Sequence, residues 1–556
     1  MRGEMLAGET AVSGTRGERV PAARVPTRVL RWGYLNAYAL AVGGIAAGVG
    51  AFLLSRLAVW PPHEDETLVL FVSRQPLGDL FGTVISERGG APLHFLLAHT
   101  VALVSPGLTG LRLISVAFAV ASIPIVAALV ARLTDRRTAI VATVILAASW
   151  MTLYHGIYGR MYSLFLFVST LSFLLLLRAL ETGGRGRWTL WALATLAAVA
   201  TQPYGALVLA AQGVFVLARF WRERFAVRTA AVAFAAVTVV ALPLWLTYRV
   251  LASRFEVGVT GAGNSKLGSP LDVFSYLAQT FGDFSVGWIG ATAVIGAVAL
   301  VGLLSLAQAR QPAALLSLIV LVLPAIALMA VRSGSSLGLE SRHLIFALPF
   351  FALLVAAGLV RAAGFARRAG PALLAIAVLA LVAGEIAWGW HKTPALYAGE
   401  QPERREARAA AAEWLAATTR SDDVLFGYEP LFLDAWDRGA PIGDVVVPRA
   451  DPRLMVDALE DAARPLGRAV WVFDATDEQD PDKRRLTIPE RTPGDGFEAR
   501  AYGPFLVIRT TEPVETPEQF VRLTIRVELL GRQLLIGDAG INLSTALKAL
   551  QRLEGG

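Results

Sequence analysis

The sequence contains no cysteine and few charged residues for its length. A chain without cysteine forms no disulfide bond and offers no thiolate to a metal ion or a substrate. Asp, Glu, Lys and Arg make up 17% of the 556 residues, against about a quarter in soluble domains, and mean hydropathy is +0.54. These values exclude an ordinary soluble enzyme, a disordered chain and a collagen-like fibre.

Motifs of several common enzyme classes are also missing. The chain has no Walker A loop, which excludes an ATP-driven pump, no HExxH zinc-protease motif and no GxSxG nucleophile elbow. Its six histidines are scattered, which argues against a dedicated transition-metal site. We attribute the net charge of +7 to arginines in cytoplasmic loops, and we expect no nucleic-acid partner.

The sequence is instead rich in long apolar runs, which fill most of residues 36–390. These runs lack the polar and apolar faces that a helix on a soluble core shows. Because about 20 residues suffice to cross a bilayer, the runs predict an all-α polytopic membrane domain over residues 34–390 with about 11–12 transmembrane helices. Residues 1–33 are polar and predict a disordered cytoplasmic tail.

Clusters of arginine predict how the chain is oriented, because cytoplasmic loops carry an excess of Lys and Arg. The clusters lie at 132–137, 178–187, 219–228, 310 and 361–368. With these on the cytoplasmic side, the first loop (60–90), a long loop (250–285) and the C-terminal part are exoplasmic. The run 91–104 is then predicted to be a dipping or juxtamembrane helix; the alternative is that one arginine loop breaks the rule.

Residues 391–556 have the charge content and patterning of a soluble domain. An Ala/Arg/Glu-rich segment, 403–418, predicts a helix. Strand-like runs lie at 423–427, 444–447, 468–473 and 504–509. Because helical segments separate these runs, we predict a small α/β domain, which the orientation places on the exoplasmic side.

Three consecutive acids, Glu64, Asp65 and Glu66, follow His63 just after the first apolar run. Carboxylates crowded at a membrane surface repel one another and are partly desolvated, which is typical of groups that bind a cation or take up a proton. The alternative is a solvated helix start, because acids in a first turn interact favourably with the helix dipole.

Positive residues also occur on the predicted exoplasmic side, where the positive-inside rule disfavours them. They are Arg160, Arg249, Arg254, Lys266, Arg332 and Arg342. Any one of them is explained by snorkelling to the interface. The set predicts a site for an anionic headgroup, because guanidinium groups bind phosphate through paired hydrogen bonds.

Aromatic and polar residues cluster at the same level of the predicted membrane. They are Trp60, Trp150, Tyr154, His155, Tyr158, Tyr162, Gln202, Tyr204, Trp288 and His343. Such residues form the aromatic belt of every bilayer interface, and they also form platforms for sugars. Composition alone leaves both interpretations open.

The order and spacing of short motifs over residues 35–390 resemble the GT-C membrane glycosyltransferases, in the branch of protein O-mannosyltransferases and aminoarabinose transferases. Asp65-Glu66-Thr67 resembles the family's Asp-Glu motif in the first exoplasmic loop. The other similar motifs are Gly90-Ala91-Pro92-Leu93-His94, Leu111-Arg112-Leu113-Ile114-Ser115, Tyr158-Gly159-Arg160-Met161-Tyr162, Gln202-Pro203-Tyr204-Gly205 and Ser341-Arg342-His343-Leu344. Each motif is short, and the ordered set is what resembles the family.

This resemblance implies an inverting transfer of a mannose- or arabinose-like sugar from a polyprenyl-phosphate donor to an exoplasmic hydroxyl. Asp65 is then the general base, with Glu66 as its catalytic neighbour. Arg342, with Arg160 or Arg332, would stabilise the leaving lipid phosphate. The implied substrate-binding residues are His63, Glu64, His94, Tyr158, Tyr162, Gln202, Tyr204 and His343.

The implied partners are the bilayer, the lipid-linked donor and a glycan, glycolipid or protein acceptor. The Ala- and Arg-rich composition points to a bacterial plasma membrane. The chain departs from the family in three places: no second acid accompanies Arg160, His343 replaces a tyrosine, and the family's histidine is replaced around Gln202. These departures leave open the sugar and whether a divalent metal ion (Mg, Mn or Ca) takes part; no other cofactor is required.

Two other functions are compatible with the apolar runs. A polytopic secondary transporter or lipid-linked sugar flippase would suit the number of spans, but such proteins show internal repeats and mid-span charges. Glu385, the main acid near the end of a span, is interpreted as interfacial. A non-catalytic membrane protein that presents its C-terminal domain would leave the first-loop acids and the exoplasmic arginines unexplained.

Overall fold

The computed structural model describes residues 27–87, 92–223, 228–247, 269–331, 340–441, 445–476, 487–537 and 539–555. Helices dominate the part before residue 400. They are Thr27–Arg56, Glu64–Ser73, Leu77–Ser86, Pro92–Ala102, Leu108–Leu133, Arg136–Ala148, Trp150–Ile157, Tyr162–Thr182, Arg185–Thr201, Gly205–Glu223, Arg228–Val240, Pro270–Asp283, Ile289–Ala309, Gln311–Val331, Leu348–Phe365, Gly370–Lys392 and Ala395–Ala398, with 3-10 turns at Ser341–Ala347 and Arg367–Ala369.

Within these described ranges, seven helices are long and apolar enough to cross a membrane. An eighth span results if the pair Arg136–Ala148 and Trp150–Ile157, bent by 55°, is counted as one. The polytopic all-α membrane architecture is therefore confirmed. The count is lower than the number of apolar runs because several runs form shorter helices, such as Gly205–Trp221 and Arg228–Val240.

The run 91–104 forms one of these short helices, Pro92–Ala102. Its 11 residues rise about 16 Å, roughly half of the hydrocarbon core. This length agrees with the prediction of a dipping or juxtamembrane helix. The predicted first loop is likewise helical, since it contains Glu64–Ser73 and Leu77–Ser86.

Glycines allow two of the long helices to pack closely. A Cβ atom on Gly302 would lie 1.9 Å from the Leu354 carbonyl oxygen, and one on Gly358 would lie 2.0 Å from the Val298 carbonyl oxygen. Helix Ile289–Ala309 therefore contacts the helix that follows the turn Ser341–Ala347 backbone to backbone, as small residues permit in membranes. The second of these helices begins directly after the turn that carries Arg342.

The C-terminal part contains the five-stranded sheet and helices of the predicted α/β domain, which is confirmed. The strands are β1 (Val424–Phe426), β2 (Val446–Val447), β3 (Ala469–Asp474), β4 (Phe497–Tyr502) and β5 (Phe505–Thr510). The helices are Pro402–Thr418, Pro430–Asp437, Pro452–Glu460, Pro517–Gln533 and Ala539–Gly555. The four predicted strand runs correspond to β1, β2, β3 and β5, whereas β4 was not predicted.

The sheet has the order β2-β1-β3-β5-β4. Strand β1 pairs in parallel with β2 (Leu425 opposite Val446) and with β3 (Leu425 opposite Val470). Strand β5 pairs antiparallel with β3 and with β4. Strand β1 thus lies between β2 and β3, where the strand order reverses. At such a point, open α/β sheets form a crevice at the carboxyl ends of their parallel strands.

One apolar cluster crosses the predicted domain boundary at residue 390. It contains buried residues of the first loop together with buried residues of the sheet and its helices. Members from the two sides are Val69, Leu70, Phe71 and Val72, and Leu425, Leu431, Phe432, Val470 and Val507. The first loop therefore shares a hydrophobic core with the C-terminal domain.

Candidate active site

The helix Glu64–Ser73, hereafter the first-loop helix, begins at a capping box. The Nδ1 atom of His63 accepts a hydrogen bond from the Asp65 backbone N–H at 3.1 Å, and the Glu66 carboxylate accepts one from the His63 N–H at 3.2 Å. Acids in the first turn also interact favourably with the helix dipole. The consecutive acids thus form a helix start, and Asp65 lies in its first turn.

Asp65 lies between two arginines that are far away in the sequence. Its Oδ1 atom is 3.9 Å from Nη1 of Arg160, and its Oδ2 atom is 3.9 Å from Nη1 of Arg342. The Tyr158 hydroxyl donates a hydrogen bond of 2.8 Å to Oδ2. The Asp65 side chain is 30% exposed, so that a substrate can reach it.

The charges around Asp65 keep its carboxylate ionised. Burial acts to raise the pKa of Asp65. The positive charges of Arg160 and Arg342 outweigh burial, and the Tyr158 hydrogen bond adds to their effect. The pKa of Asp65 therefore lies below its ordinary value of 3.8.

Glu66 has a different environment, although it follows Asp65 directly. Its side chain is fully buried, and Arg112 binds it through two hydrogen bonds of 2.9 and 2.7 Å. The Gly159 N–H donates a third of 2.8 Å, in addition to the cap at His63. All four bonds occupy the carboxylate, which favours a structural role for Glu66 over the catalytic role predicted for it.

Glu64 points away from the arginines at Asp65. Its carboxylate binds Arg449, which also binds Glu429. Both of these residues belong to the C-terminal domain. Glu64 was predicted to bind substrate, and in the structure its charge is engaged between domains.

Arg342 lies in the 3-10 turn Ser341–Ala347 and contacts three groups. Its Nη2 atom is 2.5 Å from Oε1 of Glu340, its guanidinium carbon is 5.2 Å from the ring centroid of Tyr162, and Asp65 is its third neighbour. The Nε atoms of Arg342 and Arg160 have no hydrogen-bond partner in the described part of the chain. Both guanidinium groups therefore retain donors for an anionic ligand.

A chain of rings extends from this pair of arginines into the protein. Tyr204 stacks on His343 with centroids 4.9 Å apart, and Tyr162 lies 6.4 Å from His343 and 4.7 Å from His155. Tyr158 meets the His63 ring edge to face at 5.3 Å. The structure thus brings most of the predicted aromatic site residues together beside Asp65.

The remaining predicted site residues make no described contact with Asp65. Gln202 is buried at the end of helix Arg185–Thr201. Burial and the nearby Arg160 charge lower the pKa of His94 to about 3, so that this histidine is neutral at physiological pH. Arg332 lies outside the described residues, as do Arg249, Arg254 and Lys266.

Four residues that support the site, Arg112, Glu340, Asp283 and Lys392, were not among the predicted site residues. Arg112 holds Glu66, and Glu340 holds Arg342. The Ser341 hydroxyl donates a hydrogen bond of 2.6 Å to Asp283, and Lys392 lies 3.3 Å from the same carboxylate. Glu340 could have been predicted from the sequence, because it is an acid only two positions before Arg342. The other pairings join distant segments and leave no local pattern.

The described residues contain no group of three or more His, Asp or Glu side chains that could hold a metal ion. Around Asp65 the two nearest charged partners are the cations Arg160 and Arg342. This set of neighbours does not fit a divalent ion at Asp65, because two fixed positive charges would repel it.

No family model matches the chain, and no curated protein matches it by sequence. Among solved structures, it is similar to ArnT from Cupriavidus metallidurans bound to undecaprenyl phosphate, with 14% identity, a TM-score of 0.53, and 85% of this chain and 98% of that chain covered. The apo state of ArnT gives 13% identity, a TM-score of 0.53, and coverage of 86% and 98%.

A looser similarity is found to the oligosaccharyltransferase AglB from Archaeoglobus fulgidus in complex with an inhibitory peptide and a dolichol-phosphate. It has 12% identity, a TM-score of 0.49, and coverage of 79% of this chain and 70% of that chain. The similarity to ArnT extends over nearly the whole of that protein. The chain therefore has the fold of the GT-C membrane glycosyltransferases.

Proposed function

We propose that the protein transfers a sugar from a polyprenyl-phosphate donor to a hydroxyl acceptor on the exoplasmic face, with inversion at the anomeric carbon. The observation that carries the proposal is Asp65, an ionised and partly exposed carboxylate between the guanidinium groups of Arg160 and Arg342. Binding of undecaprenyl phosphate by ArnT, which has the same fold, supports a lipid-linked donor.

The chemistry requires a base for the acceptor hydroxyl and positive charge for the leaving phosphate. Asp65 accepts the proton of the acceptor hydroxyl while the hydroxyl oxygen attacks the anomeric carbon. The bond from that carbon to the phosphate oxygen breaks, and the electron pair leaves with the lipid phosphate. Arg160 and Arg342 stabilise the developing negative charge, so no protonating acid is needed.

The groups around Asp65 prepare it for this task. The Tyr158 hydroxyl donates to Oδ2 and leaves Oδ1 for the acceptor. The ring chain of Tyr162, His343 and Tyr204 offers apolar faces to a sugar. We take the donor sugar to be mannose- or arabinose-like and the acceptor to be a glycan, glycolipid or protein, as the sequence resemblance implies.

The first test is donor consumption by the purified full-length protein in lipid nanodiscs, with a panel of polyprenyl-phosphate sugars. Asp65→Asn should lower kcat by about 10²–10⁴-fold, because the substitution removes the general base. Asp79→Asn is the matched control, since Asp79 is an exposed acid of the same loop, and it should behave like the wild type. Turnover that survives Asp65→Asn would contradict the proposed base.

The pH dependence of the wild type supplies a second measurement. Asp65 acts as a base only when deprotonated, and its pKa is lowered in the free protein. We therefore expect kcat/KM to remain flat down to about pH 5 and to fall only below the ordinary Asp range. A bound phosphate neutralises the arginines and raises the pKa of Asp65, so the acid limb of kcat should lie at higher pH than that of kcat/KM.

A further inference from the structure

The three consecutive acids of the first-loop helix have three separate surroundings. Glu66 binds Arg112 of a membrane helix, Asp65 faces the arginines of the candidate active site, and Glu64 binds Arg449 of the C-terminal domain. Successive residues of a helix point about 100° apart. Glu64 and Glu66 therefore hold the first turn from two sides and fix the direction in which Asp65 points.

Contacts within the C-terminal domain hold Arg449 in the position from which it reaches Glu64. Arg449 bridges Glu64 and Glu429, and the three side chains are 16%, 30% and 8% exposed. Gly427, at φ +85°, follows β1, and a Cβ atom there would lie 3.1 Å from Cδ of Arg449. The glycine allows the arginine to pass close to the backbone on its way to Glu64.

Further contacts hold the same helix against the same domain. The Thr67 hydroxyl donates to the Tyr428 carbonyl oxygen, and Phe71 packs 5.2 Å from the Trp436 ring. One turn further on, Arg74 lies over the Trp436 ring at 4.3 Å and pairs with Asp437 at 2.9 Å. These contacts lie beside the apolar cluster that the first loop and the sheet share.

These contacts lie at one edge of the sheet. Tyr428 and Glu429 follow β1, and Arg449 follows β2, so they lie at the carboxyl ends of parallel strands. That edge is where open α/β sheets bind their ligands. In this chain the edge binds the first-loop helix instead.

We propose that the C-terminal domain positions the candidate base, with Arg449 as a positioning residue that acts on Asp65 through Glu64. The inference rests on the proposed function, because it assigns the domain a part in that same reaction. Arg449 touches neither donor nor acceptor. It sets the rotation of the first turn, so that Asp65 meets the Tyr158 hydroxyl on one side and the acceptor on the other.

The test uses the full-length protein in nanodiscs with a donor that the wild type consumes. Glu64→Gln and Arg449→Met break the contact from opposite sides, and Arg449→Lys keeps one charge of it. The matched control is Asp437→Asn, which breaks another ion pair of this interface. Its partner Arg74 lies ten positions after Glu64, and the Asp437 side chain is 46% exposed. The readouts are kcat, the KM for donor, the pH profile and hydrogen exchange of amides 64–73.

Both single variants should lower kcat by about tenfold to a hundredfold, because a small misplacement of a catalytic group is costly. The KM for donor should stay within about twofold, since Arg160 and Arg342 are untouched. The double variant Glu64→Gln/Arg449→Met should lose no more of kcat than either single variant, because both substitutions break the same contact. Arg449→Lys should have a higher kcat than Arg449→Met. The acid limb of kcat/KM should move to higher pH, because a rotated Asp65 loses the Tyr158 hydrogen bond and the Arg160 charge.

Exchange of amides 64–73 should rise about tenfold in both Glu64→Gln and Arg449→Met. It should rise much less in Asp437→Asn, because Arg74 lies beyond the last helical residue, Ser73. The proposal is overturned if Glu64→Gln and Arg449→Met match Asp437→Asn in kcat and exchange, or if their effects add. If the wild type consumes no donor, the proposed function fails, and exchange alone then decides whether Arg449 positions the helix. Unchanged exchange in Arg449→Met overturns the inference in that case as well.

Discussion

Arg112 and Glu66 form a buried ion pair with few exposed atoms, 3% and 0% of the two side chains. Arg112 also donates to the carbonyl oxygens of Leu57, Trp60 and Pro61. The pair therefore joins the end of the first span, the first-loop helix and helix Leu108–Leu133. At this scale, Glu66 holds the turn that presents Asp65, while Asp65 itself faces the arginines.

Arg112→Met should lower the free energy of unfolding by about 3–5 kcal/mol, because it leaves the Glu66 carboxylate buried without its cation. The matched control is Arg132→Met on the same helix, where the Arg132–Glu181 pair is 31% and 41% exposed. Its loss should change the stability by at most about 1 kcal/mol. Thermal unfolding in nanodiscs measures both, and equal melting of the two variants would argue against the structural role of Glu66.

The helix Gly370–Lys392 shows how an element differs from its sequence pattern. Most of this helix lies on the outside of the protein, since only 17% of its most apolar stretch is buried. Glu385 was predicted to be interfacial, yet it is fully buried. Neither carboxyl oxygen has a hydrogen-bond partner among the described residues. Its position is decided by the side of the helix that packs on the protein, which hydropathy does not reveal.

Glu385→Leu separates the glycosyltransferase proposal from the transporter alternative. An acid inside a membrane often marks a transport pathway, and a transporter would lose activity on this substitution. Under the proposed function, donor turnover should stay within about twofold. The stability should rise by about 1–3 kcal/mol, because a buried polar group without partners is removed. Lost donor turnover with a normal thermal unfolding curve would contradict this expectation.

The whole molecule combines a membrane part and an α/β domain through the first loop. The positive-inside rule predicts that the arginine-rich connections lie on one side of the membrane. Asp65 and the C-terminal domain are then on the other side. The shared apolar cluster means that the two parts fold against each other. The orientation remains a prediction that can be tested simply, because the chain has no cysteine.

Single cysteines at Asp461 and Arg185, both exposed, report the two sides of the membrane. A membrane-impermeant maleimide should label Asp461→Cys in intact cells and Arg185→Cys only after permeabilisation, because arginine-rich loops stay in the cytoplasm. The cysteine-free parent is the blank. Labelling of Arg185→Cys alone in intact cells would reverse the predicted orientation and place Asp65 in the cytoplasm.

The sequence by itself determined the membrane class, most of the helices and the C-terminal α/β domain. Apolar runs and strand-like alternation are local patterns, so they can be recognised before any packing is known. Strand β4 was missed because its residues, Phe497–Tyr502, include charges and half-exposed positions, as is usual at a sheet edge. The resemblance to the GT-C family also indicated Asp65, Arg160 and Arg342 as one site.

Only the tertiary structure decided which of the three neighbouring acids faces Arg160 and Arg342. In the sequence, Glu64, Asp65 and Glu66 differ by little more than position. Their partners, Arg449, Arg342 and Arg112, lie 385, 277 and 46 positions away. Such pairings depend on how helices and domains pack, because a carboxylate acquires its role from the charges that folding brings within a few ångströms.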